Sequence, residues 1–172
     1  AVPPDYHPVL RERLDYAVKK LKKLYPDEEF VFFADNSPIP EVRTATLAGI
    51  GVTGSNSLLI TEKYGSFVFL GEIVTTMPLA QSEGEIKECL KCGKCSRACP
   101  CSAIDNGRVI KEKCLSFITQ KKGELNSEEI KLIKASGCAW GCDICQNVCP
   151  LNQTAEKTEI EEFRKDAQGK ID

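Results

Sequence analysis

"CLKCGKCSRACPC", residues 89–101, places five cysteines within thirteen positions. Core packing does not call for that density. The whole chain carries 10 cysteines in 172 residues. Its first stretch, "AVPPDYHPVLRERL", lacks the apolar core of a secretion signal, so a disulfide framework is the weaker reading. Clustered thiolates in a cytosolic chain hold metal instead. The spacing is Cys89-x2-Cys92-x2-Cys95-x3-Cys99-Pro100. A second run, Cys142-x2-Cys145-x3-Cys149-Pro150, follows, with Cys114 and Cys138 upstream of it.

C-x2-C-x2-C-x3-C-P is the bacterial ferredoxin run. Three thiolates two residues apart wrap a tight loop around one corner of a cubane, and the fourth, one helical turn on, points to a second cluster. Two runs therefore predict two [4Fe–4S] clusters with exchanged ligands. Cys89, Cys92, Cys95 and Cys149 are assigned to the first. Cys99, Cys142 and Cys145 are assigned to the second, whose fourth ligand is Cys114, Cys138 or Cys101. Cys138-x3-Cys142 is the simple local solution, whereas Cys101 would have to turn back sharply beside Cys99. Zinc sites prefer paired C-x2-C knuckles, often with histidine, and the one histidine, His7, lies far upstream. Cubanes on thiolates mostly transfer single electrons, so the motif reads as an electron wire.

Composition sets the bounds around this wire. Hydrophobic residues make up 42% and charged residues 28%, ordinary for a globular chain. A net charge of -2 and a pI near 5.6 argue against a wholly basic nucleic-acid binder. No apolar run approaches the roughly 18 residues of a membrane span. No membrane partner and a cytoplasmic location are therefore predicted. A start at Ala1 rather than Met predicts a fragment of a longer chain.

The pattern of Leu10, Leu14, Ala17, Val18, Leu21 and Leu24 predicts an amphipathic helix over 8–24, with Pro8 in its first turn and Pro26 and Asp27 ending it. "EEFVFFAD" predicts a strand at 29–34, "NSPIP" a turn, and the next segment a helix at 40–48. "SLLIT" and "SFVFLGEIVTT" read as two strands joined by a Tyr64-Gly65 turn, with hairpin pairing. "AQSEGE" at 80–85 is a polar linker. "NSEEIKLIKAS" is a short helix in which Asn126 and Glu129 have capping-box spacing. Residues 153–172 read as a polar surface helix. The division is 1–80, 81–152 and a tail at 153–172.

"CLSFITQKKGEL" and "WGCDICQNVCPLN" are more specific than a ferredoxin motif. They resemble the epoxyqueuosine reductases, a cobalamin-dependent family acting late in queuosine synthesis on tRNA. "DYHPVLRERL", "FADNSPIPE", "AGIGVTGSNSLLI" and "GSFVFLGEIVTT" follow that family's order and spacing, so the resemblance covers about residues 5 to 152. It implies an α+β fold in which 1–80 is part of a cobalamin-binding α/β domain and 81–152 a ferredoxin-like double-cluster domain. It implies Cys114, in the family's C-I-S-F/Y-L-T segment, as the missing ligand, with Cys101 and Cys138 left free.

The resemblance further implies electrons passing from an external low-potential donor of ferredoxin or flavodoxin type through both clusters to cobalt. The substrate would be epoxyqueuosine in tRNA, reduced to queuosine. Asp35 stands where the family has its proton donor, a role that suits a strand-end acid whose pKa is raised by burial. By itself Asp35 reads as a turn-capping residue. Cobalamin contacts carry over to Asp35, Leu59, Leu70, Cys142 and Asp143, though Leu59 and Leu70 equally suit a strand core. Gly51, Gly54 and Asn56 occupy the family's glycine-containing turn.

The chain also departs from the family. Its "GWIGKN" is "GVTGSN" here, putting Ser55 in place of a lysine, and Val42 replaces an arginine. The resemblance implies an N-terminal part of the cobalamin domain and C-terminal helical repeats that have no counterpart in these 172 residues. Lys121 and Lys122 read as a solvated pair or as phosphate contacts. Trp140 reads as a cluster shield or as packing. Met77 and His7 carry no special signal, His7 reading as a surface residue at a helix start. The reading from a different class is a non-catalytic two-cluster electron carrier.

Overall fold

The computed structural model describes residues 5–81 and 88–165. Helix α1 spans Tyr6–Leu24, two residues longer at its start than the sequence predicts. The reason is Asp5, whose carboxylate accepts the His7 backbone N–H at 3.0 Å and caps the helix. Pro8 is thus the third helical residue. The apolar stripe buries Val18 fully, while Leu24 lies in solvent.

The strand expected at 29–34 is β1, Phe30–Phe33. It pairs antiparallel with β4, Glu72–Thr75, in the register Phe30↔Thr75 to Phe33↔Glu72. Helix α1 packs on this ribbon. Helix α2, Glu41–Leu47, follows the turn and buries Ala45. It covers a second ribbon, in which β2 (Val52–Thr53) pairs with β3 (Leu59–Ile60). Val52, Leu59 and Ile60 form its buried side.

The hairpin expected between "SLLIT" and "SFVFLGEIVTT" does not form. Only the bridge Thr61↔Gly65 closes the Tyr64-Gly65 turn. Each intended partner is taken by another strand: β3 faces β2 and β4 faces β1. Residues 67–70 between them have no ladder partner. The two ribbons stay separate, and Val31 and Val74, cross-strand partners on β1 and β4, face solvent.

The cysteine-rich half is built from short pieces. Helix α3 is Lys94–Ala98 and α6 is Ile144–Asn147, one inside each cysteine run, and they pack together. Between them come β5 (Ile104–Asp105) and β6 (Arg108–Val109), then α4 (Leu115–Thr119) and α5 (Ser127–Ser136). The β5–β6 hairpin turns on Asn106 (φ 45°) and Gly107 (φ 74°), both left-handed. Asn-Gly is the favoured pair for such a two-residue turn.

The predicted capping box is present, with Asn126 accepting the Glu129 backbone N–H at 2.9 Å and Glu129 accepting that of Asn126 at 2.9 Å. Leu115, Ile118, Ala103 and Ile104 form the core here. The expected helix at 153–172 is seen only as α7, Glu162–Lys165. The segment before it is irregular, and residues 166–172 lie outside the described ones, as does most of the linker at 80–85.

The halves are joined by polar contacts. Ser66 Oγ donates to Gln146 Oε1 at 2.7 Å, and Asn152 Oδ1 accepts the Ser66 N–H at 2.8 Å. The Arg13 guanidinium reaches Glu162 at 3.2 Å, and Phe69 packs on Phe163. Among the described residues no helix is long and apolar enough to cross a membrane.

Candidate functional site

A proline restricts the residue before it to extended backbone. Cys99 (φ -67°, ψ 116°) and Cys149 (φ -72°, ψ 124°) obey this, each just past its short helix. Cys149 is thereby delivered to the other cysteine run. It lines one pocket together with Cys89, Cys92 and Cys95. Gly54, Ser55, Asn56 and Ile60 of the front half and Leu151 complete the wall.

A second group gathers behind it. Cys145 feels the thiols of Cys114, Cys95 and Cys99, and Cys142 feels those of Cys138, Cys145 and Cys114. Cys114 is thus within reach of both Cys142 and Cys145. Cys101 adjoins Cys99 and Cys114. The Cys138 thiol leans on the Ser136 carbonyl at 3.8 Å. None of the ten cysteines is in a disulfide.

The surroundings of the sulfurs differ from one cysteine to the next. Burial pushes the Cys142 thiol up to about 11 despite the Ile144 backbone N–H beside it. Burial likewise raises Cys145 and Cys95. At Cys89 burial acts upward too, yet the Lys91 backbone and the Ser55 hydroxyl and backbone together hold it below its ordinary value. Ser55 Oγ is 3.6 Å from Cys89 Sγ, Asn56 Nδ2 is 3.7 Å from Cys145 Sγ, and the Ala103 N–H donates to Cys99 Sγ at 3.3 Å.

This donor set fits a cubane. A single zinc ion needs its thiolates at about 2.3 Å from one point. Among the described residues no three histidine, cysteine or acidic side chains converge that way. Thiols spread around a pocket wall, some of them receiving N–H or O–H donors, suit an iron–sulfur cluster.

Asp35 is where the front half concentrates its charge. It closes β1's exit with φ 61°, and Asn36 follows with φ 51°, a left-handed pair in the "DNSP" turn. The Tyr6 hydroxyl donates to Asp35 Oδ2, and His7 Nε2 stands 3.1 Å from the same oxygen. The other ring nitrogen of His7 is 2.6 Å from Asp5 Oδ1. Asp5 chiefly, against some burial, raises the His7 pKa. Burial and the Asp35 bond push the Tyr6 phenol far up. Tyr6 is held flat between His7 (4.2 Å) and Phe69 (3.9 Å).

The burial expected for Asp35 is not supplied by these neighbours, since its side chain is 46% exposed. Below it Glu41 and Glu72 face one another. Burial first, then Glu72 and Asp35, raises the Glu41 pKa. Glu41 Oε1 and Glu72 Oε1 are buried without a hydrogen-bond partner.

Sequence reasoning passed over Tyr6; His7 is a surface residue at the helix start, as read, but its link to Asp5 and Asp35 went unforeseen. The missed signal was Asp5, a strong helix cap that draws both residues into the first turn. Trp140 is 67% exposed, so it does not pack in a core. Lys121 is ion-paired to Glu129 at 2.9 Å. Leu59 is buried in the β2–β3 core and Leu70 is half-buried. Four surface clefts, the thiol pocket included, are lined by residues other than Asp35, Leu59, Leu70, Cys142 and Asp143. The candidate corrin contacts are not gathered in any of these clefts.

Residues 88–152 match a family described as a 4Fe-4S double cluster binding domain. The chain is 37% identical over 150 residues to an epoxyqueuosine reductase of Lactococcus garvieae, covering 87% of this chain and 42% of the relative. A crystal structure of epoxyqueuosine reductase with an epoxyqueuosine-modified tRNA stem loop superposes with a TM-score of 0.82 at 34% identity, over 94% of this chain and 42% of that one. The Bacillus subtilis enzyme, with its aspartate catalytic loop swung out of the active site, superposes equally, with a TM-score of 0.82 at 34% identity over the same shares. The chain spans about two fifths of the length of these proteins.

Proposed function

We propose that this chain, similar to the epoxyqueuosine reductases and matching a 4Fe-4S double cluster binding domain, serves in the same reaction, the reduction of epoxyqueuosine to queuosine in tRNA. The observation that carries this reading is the meeting of Cys89, Cys92, Cys95 and Cys149 around one pocket, on a chain matched almost end to end by those enzymes.

In this reading Cys89, Cys92, Cys95 and Cys149 hold one [4Fe–4S] cluster. Cys99, Cys114, Cys142 and Cys145 hold a second. The ferredoxin-like part is 81–152, and 1–80 is part of a cobalamin-binding α/β domain. The clusters supply single-electron transfer when bound, fed by a soluble donor of ferredoxin or flavodoxin type in the cytoplasm. The chain's residues offer O–H and N–H donors to Cys89, Cys145 and Cys99.

Asp35 is the proposed proton donor. Its Oδ2 accepts from the Tyr6 hydroxyl and from protonated His7 Nε2. His7, held between Asp5 and Asp35, can return a proton to Asp35 Oδ2 after each transfer. Cobalamin is proposed to contact Asp35, Leu59, Leu70, Cys142 and Asp143. None of the four clefts described above gathers these contacts, so no step is assigned to it.

The test is anaerobic purification of the full-length protein. We expect about eight irons per chain, corrinoid uptake, and turnover of an epoxyqueuosine-bearing stem loop that Asp35→Asn abolishes without loss of iron. Full iron with no corrinoid uptake and no turnover would leave an electron carrier, to which Asp35 is indifferent.

A further inference from the structure

Ser55 and Asn56 are neighbours in one tight turn, and each touches a cysteine of a different group. Ser55 Oγ lies 3.6 Å from Cys89 Sγ and Asn56 Nδ2 lies 3.7 Å from Cys145 Sγ. Nothing in the cysteine runs themselves brings this turn there. It arrives from the front half, between β2 and β3, and its shape is fixed. The Gly54 N–H donates to the Leu58 carbonyl at 2.8 Å, and the Ser57 N–H to the Gly54 carbonyl at 2.8 Å. A Cβ on Gly54 would stand 2.4 Å from Asn56 Oδ1 and 2.9 Å from Ile60 Cδ1, so any side chain there would push the amide aside. Ser57 Oγ accepts the Val109 N–H at 3.2 Å, fastening the turn to the β5–β6 hairpin.

Asn56 is only 5% exposed. A buried amide needs partners for both ends. Its oxygen accepts the Leu58 N–H at 3.5 Å, and its nitrogen faces the sulfur. A neutral thiol is a weak acceptor, whereas an anionic sulfur accepts a charge-assisted bond. The arrangement at Ser55 has the same sense. Once Cys89 is a thiolate, the hydroxyl is the partner that can donate.

We propose that Ser55 and Asn56 set the reduction potentials of the two clusters independently, Ser55 through Cys89 and Asn56 through Cys145. This rests on the two-cluster reading above. Donors to cluster sulfurs stabilise the added electron and raise the potential. Both are positioning residues, since they act through the ligands.

The test is a potentiometric titration, followed by electron paramagnetic resonance, of the anaerobically reconstituted chain. Ser55→Ala should lower the midpoint of one reduction wave by about 59 mV, a tenfold change in a one-electron equilibrium, and leave the other in place. Ser55→Thr, which keeps the hydroxyl, should restore it. Asn56→Asp keeps the acceptor for Leu58 but replaces the amide donor by a carboxylate, and should lower the other wave. Should the Asn56 variant lose iron, the half-exposed Ser55 pair still decides. Shifts on the same wave, unmoved midpoints at full iron content, or failure of threonine to rescue would overturn the inference alone. Iron well below eight in the unmutated chain would overturn the two-cluster reading and this inference with it.

Discussion

His7 Nε2 stands 3.1 Å from Asp35 Oδ2, so a helix N-terminus and a strand exit share one proton-bearing contact. His7 is the one histidine of the chain, and its ring signals are therefore unambiguous by nuclear magnetic resonance. Its pKa is raised above the ordinary 6.5, first by Asp5 and then by Asp35. The folded state favours the imidazolium. Its contribution to folding is full below pH 6.5 and fades as pH rises through the folded pKa. The titration midpoint should lie above 6.5, fall back markedly in Asp5→Asn and fall less in Asp35→Asn. A ring titrating at its ordinary value in the unmutated chain contradicts the arrangement.

The same contact predicts a pH effect on turnover. If His7 reprotonates Asp35, the rate should fall on the alkaline side with the His7 pKa. His7→Gln should remove that limb and lower kcat more than KM. A profile unchanged in His7→Gln would leave His7 as a structural cap partner only.

Glu41 and Glu72 give the opposite kind of prediction. The Glu41 pKa is raised, so folding favours its protonated form. That contribution is full below the ordinary 4.5 and is lost as pH rises through the folded pKa. Glu41→Gln keeps the shape and removes a charge. It should raise the urea midpoint at pH 7 and change it little at pH 4. An equal effect at both values would mean that neither the burial of the Glu41 charge nor its like-charge neighbours is the cause.

The cysteine assignments separate by iron content. Cys114→Ser should halve the iron, from about eight to about four per chain, because a cubane held by three thiolates is labile. Cys101→Ser and Cys138→Ser should leave it whole. Loss of half the iron in Cys138→Ser, with Cys114→Ser intact, would move the second cluster's fourth ligand to Cys138.

How much of this was legible beforehand follows from the range of the forces involved. The capping box at Asn126 and Glu129 is local, and it was read correctly. The Asn106-Gly107 hairpin is local as well, and was overlooked among the cysteines. The partners of β3 and β4 are set by which ribbon each helix covers, and no alternation within "SLLIT" or "SFVFL" reports that. The contact of Ser55 with Cys89 spans 34 residues. Spacing predicted that the thiols hold metal, but not that the front-half turn lies against them. Tyr6 and His7 fall between these cases. Asp5 marked the helix start, yet their meeting with Asp35 needed the packing of α1 on β1.

Leu115 and Asn126 offer a calibrated pair in the cluster half. Leu115 is 2% exposed, the largest fully buried side chain of the described residues, and it directly follows Cys114. Leu115→Ala should cost about 2–5 kcal/mol by lost burial and the cavity left. Asn126→Ala removes the one oxygen that accepts two N–H groups at an exposed helix start and should cost about 1 kcal/mol. Denaturant unfolding of the iron-loaded chain measures both. Because Leu115 also fixes the backbone beside Cys114, its alanine variant should release iron faster on chelator challenge, whereas Asn126→Ala should not. Equal iron loss in the two would mean that overall stability, not the seating of Cys114, controls retention.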